Sequence, residues 1–160
     1  MMDYIIRPMQ PEEYCILEDF LYEAIFQRDQ DKLLPKTVIF EPALHMYIKE
    51  FGKSQHDHCL CAEVNGIIIG AVWVRIIPGY GSVDDQTPEF AISLYKEYRG
   101  YGIGTSLMKE MLQHLKSLGY QKTSLAVQKD NFAHKMYSFV GFEIVAENED
   151  EYIMVYNLDK

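Results

Sequence analysis

Residues 98–107 read YRGYGIGTSL, and no other stretch so narrows the folds open to this chain. An apolar run, EFAISLY at 89–95, precedes it, and Leu107, Met108, Met111, Leu112, Leu115 and Leu118 follow at mostly three- and four-residue spacing. A strand, a glycine turn and an amphipathic helix of about four turns, closed by Gly119, are therefore expected in that order. Such a turn exposes backbone N–H groups at a helix N-terminus, where the dipole favours an anion, so the leading expectation is a phosphate-bearing ligand. Two common phosphate motifs are excluded. A dinucleotide fingerprint G-x-G-x-x-G begun at Gly100 needs glycine at 105, where Thr105 stands. A P-loop needs lysine after its last glycine, whereas Gly104 is followed by Thr105 and Ser106, with no lysine until Lys109.

The rest of the chain reads as alternating elements. MDYIIRP suggests a strand stopped by Pro8, and Pro11 opens a helix carrying Tyr14, Leu17, Phe20, Leu21, Ala24 and Ile25 on one face. A second short helix is predicted over 41–51, ended by Gly52. HCLCAEV at 58–64 and IIIGAVWVRI at 67–76 flank Asn65-Gly66, the dipeptide of a tight hairpin. TSLAV at 123–127 predicts a buried strand, NFAHKMYSFVGF a short helix ending at Gly141, and FEIVAE with YIMVYNL a final pair across the acidic turn ENEDE. The pattern predicts one α/β (α+β) domain with a mixed, mostly antiparallel sheet of six to seven strands and about four helices.

Composition limits the partners. With 24 acidic against 15 basic residues the net charge is -9, which argues against nucleic acid or an anionic membrane and fits either plain solubility or a cationic partner. No apolar run reaches the ~20 residues of a membrane span, and three irregularly spaced cysteines do not make a secreted disulfide framework, so a cytoplasmic protein is expected. The cluster His56-Asp57-His58-Cys59-Leu60-Cys61 contains zinc-type ligands. However, Cys59 and Cys61 fall on one strand face and His58 on the other, with no second ligand pair downstream, so no metal is expected. Trp73 reads as a core residue.

The segment R-G-Y-G-I-G resembles the Arg/Gln-x-x-Gly-x-Gly/Ala signature of the GCN5-related N-acetyltransferases, the GNAT superfamily. Asn131, Ala133, Tyr137 and Gly141-Phe142 look like that family's second segment at the matching distance. The likeness spans residues 1–160, with an acetyl-CoA core at about 87–145 and an acceptor side at about 11–51 and 77–88. One departure is Lys96, where members often carry proline. The resemblance implies a sheet split between its fourth and fifth strands, acetyl-CoA as co-substrate held between 89–95 and 122–127, and a small-molecule or peptide amine as acceptor, in a possible homodimer. It assigns cofactor contacts to Arg99, Gly100, Tyr101, Gly102, Ile103, Gly104 and Thr105, with the backbones of Ile92 and Leu94 facing the thioester and the pantetheine arm.

Amide formation from a thioester needs a deprotonated amine, a stabilised oxyanion and a proton for the leaving thiolate. By the resemblance, Tyr137 would be the general acid, the alternative being a core aromatic. Glu89 would be the base, the alternative being a capped strand end. Asn131 would touch the cofactor arm or cap its helix. Asp84 and Asp85 could draw in a cationic amine. Cys15, Cys59 and Cys61 lie outside these segments, which points to direct attack without a covalent enzyme intermediate. A non-catalytic acyl-CoA-binding or regulatory module is the competing expectation.

Overall fold

The computed structural model describes residues 2–159. β1 (Ile5–Pro8) leads into a 3-10 turn at Pro11–Ile16 and then α1 (Leu17–Ala24). The first turn of the predicted helix is thus tightened rather than α-helical. There Glu13 accepts the Gln10 amide at 2.8 Å and two Arg7 nitrogens at 2.9 Å each, which fixes the entry of the chain.

α2 is only Pro42–His45, shorter than the helix expected over 41–51. The cause lies on the neighbouring strand. Arg75 takes the carbonyls of Met46 and Lys49 at 3.0 and 2.8 Å, and the Trp73 indole takes that of Tyr47 at 3.0 Å. These anchors hold the segment against β3 as a series of turns, and Glu50 at φ 53 bends the chain away. Arg75 also binds Asp57, whose side chain is fully buried, at 3.0 Å.

β2 (His58–Val64) and β3 (Ile67–Arg75) form the predicted hairpin, with both Asn65 and Gly66 at positive φ. β4 (Glu89–Leu94) joins β3 antiparallel, and a short 3-10 turn leads through the glycines into α3 (Ile103–Ser117). β5 (Lys122–Gln128), α4 (Ala133–Val140), β6 (Glu143–Glu147) and β7 (Glu151–Asn157) complete the chain. The seven strands make one mixed sheet in the order β1-β2-β3-β4-β5-β7-β6.

Each face of the sheet carries a core. Leu60, Val72, Val74 and Phe90 pack under Ile103, Leu107, Met108, Met111 and Leu115 of α3, whose apolar residues recur at helical spacing. Cys59, Cys61, Ala71 and Trp73 point the other way and meet Leu17, Phe20 and Leu21 of α1. β4 and β5 run parallel but register at a single pair, Glu89 with Ser124, clasped where the Ser124 amide reaches Pro88 O at 3.1 Å. Beyond that pair the strands part, which is the expected split. Among the described residues no helix is long and apolar enough to cross a membrane.

Candidate active site

Two cavities occupy the split. The larger, about 870 Å³, runs along Ile92, Leu94 and the glycine turn; the smaller, about 420 Å³, lies above Glu89 and Leu125. Both are lined by Ala24, Ile25, Phe26, Ile92, Asn131 and Tyr137, so they meet at the middle of β4.

Strand geometry decides which backbone groups face the opening. Pro88 O points to β5 and the Tyr95 amide points to Ile69 O at 3.0 Å on β3. With period-two alternation between these anchors, the backbones of Phe90, Ile92 and Leu94 turn toward the split. The carbonyl of Leu94 is already taken, by the Arg99 Nε at 3.0 Å.

At the far end of the large groove Gly102 holds φ 84 and caps α3. A Cβ there would meet nothing within 4 Å, so the glycine serves the left-handed backbone and leaves open space beside the helix start. The first-turn amides of a helix have no intrahelical acceptor, and α3, with 15 residues, is long enough for its dipole to matter. An anionic group fits this cradle. Gly100, Gly104 and Thr105 line the groove, whereas Tyr101 is 58% exposed outside it and the Ile103 side chain is fully buried in the core. Arg99 lines it too, but its Nη2 binds Glu23 Oε1 at 3.1 Å, so in this state the guanidinium ties β4 to α1. Asn131 Oδ1 accepts the amide of Ala133, the first residue of α4, at 2.9 Å while lining both cavities; the N-cap itself is Phe132.

Glu89 is 2% exposed at the floor of the small cavity. Its Oε2 accepts a close hydrogen bond from the Tyr47 hydroxyl and another from the Gly81 amide at 3.1 Å, while Oε1 is buried with no well-formed hydrogen bond. Burial pushes its carboxyl up, against the opposing pull of the Tyr47 hydroxyl and of the Gly81 and Gly79 amides, and Glu151 pushes the same way as burial. Burial likewise raises the Tyr137 phenol to about 12, so at neutral pH it keeps its proton. Tyr47 is raised by burial and by Glu89, and stays a donor.

The loop that fastens Glu89 relies on a close approach. A Cβ on Gly81 would come within 2.6 Å of Ala126 N and Leu125 C, so only glycine lets residues 76–88 lie against β5. Asp84 is turned away from the cavity. It binds Lys122 at 3.3 Å and the Gln86 amide at 2.9 Å, and the Thr87 hydroxyl with those partners holds its carboxyl down at about 2. Neither Asp84 nor Asp85 lines the small cavity.

Sequence reasoning missed Tyr47, Tyr80, Asp150 and Glu151, which all line the small cavity. The glycines of PGYGS and the paired acids of ENEDE were the available signals, and they read as a plain loop and a plain turn. The histidines at 56 and 58 go to Tyr120, at 2.7 and 3.4 Å, and no group of three or more ligating side chains among the described residues could hold a metal.

Known structures share this architecture. The PaiA N-acetyltransferase of Thermoplasma acidophilum in complex with coenzyme A superposes with a TM-score of 0.72 at 19% identity, over 98% of this chain and 99% of that one. The yncA protein of Salmonella typhimurium with acetyl-CoA gives 0.69 at 17%, over 99% and 95%. The ribosomal-protein-S18-alanine N-acetyltransferase of Escherichia coli gives 0.68 at 14%, over 98% and 94%. At such identities the likeness speaks for the fold. A sequence profile described as the Acetyltransferase (GNAT) family matches residues 19–142, from within α1 to the end of the segment that carries Tyr137. The chain belongs to the acetyltransferase (GNAT) family.

Proposed function

We propose that the chain moves an acetyl group from acetyl-CoA to a primary amine by direct attack in a ternary complex, in the cytoplasm and as one domain. The observation that carries this reading is the meeting of the two cavities at Ile92, between a buried carboxyl and a hydroxyl that keeps its proton. Two neighbours of the same fold contain coenzyme A or acetyl-CoA, and the open helix start at Gly102 to Thr105 suits a pyrophosphate. The co-substrate supplies an activated thioester carbonyl.

The residues divide the remaining work. The amides of Ile103, Gly104 and Thr105 hold the pyrophosphate, with Gly100, Tyr101 and Gly102 shaping the approach and Arg99 joining if it leaves Glu23. The backbone of Leu94 pairs with the pantetheine arm beside Asn131. A protonated alkylamine, with pKa ~10.4, is not nucleophilic, so Glu89 accepts its proton, held in place by the Tyr47 hydroxyl. The Ile92 amide faces the oxygen as charge develops there. When the carbon–sulfur bond breaks, Tyr137 gives its proton to the thiolate, and its phenolate recovers one from the acetylated nitrogen, leaving a neutral amide.

Tyr137→Phe tests the assignment. Turnover should fall by about a hundredfold or more, with coenzyme A affinity by calorimetry unchanged; an unaltered rate would remove the acid role. Tight coenzyme A binding with no acetylation of any amine would favour a binding module instead.

A further inference from the structure

β3 and β4 set two opposite charges directly against each other. Arg75 registers with Glu89, and partners across an antiparallel pair share a face, with Cβ atoms about 5 Å apart. Side chains so placed can close into a salt bridge, yet here they find other partners. The Arg75 guanidinium is turned to Asp57, through Nε at 3.1 Å and Nη2 at 3.0 Å, and its Nη1 donates to the carbonyls of Met46 and Lys49. Glu89 takes neutral donors instead, the Tyr47 hydroxyl and the Gly81 amide.

The diversion is held from several sides. Asp57 is fully buried, its Oδ2 also accepts the Gly52 and Ser54 amides at 2.9 and 3.3 Å, and the guanidinium lies over the Phe51 ring at 5.3 Å. For stability alone an apolar pair of like volume would serve as well, so the distinct effect of the ion pair is to fix where the cation stands. That matters to Glu89, because an opposite charge within ~4–6 Å lowers a carboxyl pKa by about 1–3. Burial and Glu151 of β7 push its carboxyl up, while the Tyr47 hydroxyl and the Gly81 and Gly79 amides pull it down. None of these is a cation. Tyr14, His58 and Tyr120 feel the Asp57 charge and Glu50 feels that of Arg75, but none of the four lines the small cavity.

We propose that Asp57 is a positioning residue for the base: it holds the Arg75 guanidinium on the carbonyls of Met46 and Lys49 and so keeps that cation from pairing with Glu89 across the two strands. This rests on the reading of Glu89 as the base. Without the Asp57 charge, Nε and Nη2 of Arg75 are free to turn to Glu89, whose carboxylate is then stabilised and becomes a weaker base.

The test follows the acidic limb of kcat in Asp57→Asn and Asp57→Ser, which remove the charge yet keep an oxygen for the Gly52 and Ser54 amides, and in Asp57→Asn combined with Arg75→Met. In both single variants the limb should move down by about one pH unit or more and the plateau should fall severalfold, with coenzyme A affinity by calorimetry unchanged. The double variant has no cation to pair with Glu89, so its limb should stand at or above that of the wild type. A limb unmoved or raised in the single variants, a double variant as low as the singles, or failure of both single variants to fold would overturn the inference. Glu89→Gln separates the two readings. A limb that survives it removes the base assignment; a limb that Glu89→Gln abolishes but Asp57→Asn leaves in place removes only the role of Asp57.

Discussion

Glu89 combines near-complete burial with the proposed role of general base, which needs it ionised. Its raised carboxyl lies above the ordinary glutamate value of 4.5, closer to the working pH of a general base. The rate should therefore fall on an acidic limb displaced above that of a free glutamate, and Glu89→Gln should lose both the limb and about a hundredfold or more in kcat. Tyr47 donates to the charged form, so Tyr47→Phe should move the limb to still higher pH; an unmoved limb would detach Tyr47 from the base. The sign for stability runs opposite to activity. A raised carboxyl contributes stability that is full below 4.5 and lost as pH rises through the folded value, because the native state resists ionisation. Glu89→Gln should consequently gain in melting temperature relative to wild type between acid and neutral pH, which separates lost activity from lost fold. That Glu89 and Tyr137 would border the split was expected from the family likeness, and both line its cavities. Tyr47 was not, since its place depends on carbonyls captured by Trp73 and Arg75 from another strand.

The elements that could be read in advance were those with local causes. Asn65-Gly66 takes its two positive φ values from its own chemistry, and α3 follows the spacing of its apolar residues. By contrast, the length of α2 and the path of residues 76–88 are set by distant partners, which a local pattern does not encode. Gly81 gives this a measurable form. In Gly81→Ala the new Cβ would press on the β5 backbone, lifting the loop and breaking the 3.1 Å bond to Glu89. Overpacking of this kind costs about 1–3 kcal/mol, which a urea midpoint would detect, and kcat should fall with it. Gly102→Val meets open space yet must adopt φ 84, so it should cost roughly 1–2 kcal/mol of strain at the helix start and weaken coenzyme A binding. Unchanged affinity would move the pyrophosphate elsewhere.

At the scale of the whole molecule, a seven-stranded sheet with a core on each face tolerates parting β4 from β5 because the neighbouring pairs, β3 with β4 and β5 with β7, are fully registered. The opening has a helix start at one end, an acidic chamber at the other, and Tyr137 between them. A ligand that spans the split binds only the folded chain. Coenzyme A at a hundred times its Kd should thus add about 2.7 kcal/mol, a rise in Tm of roughly 5–10 °C, whereas free adenine should add little. The mixed sheet and its split could be read from the order of elements together with the family likeness. The acidic chamber could not, because Glu89 lies far in sequence from the adjacent Asp150 and Glu151 and shares a cavity with them only through strand register. The most direct test of acetyl transfer across this split is the stoichiometry of thiol released from acetyl-CoA against acetamide formed, with a primary amine present and absent. The account predicts one acetamide per thiol and no release above background without amine; thiol release that ignores the amine, or tight binding with none, would contradict it.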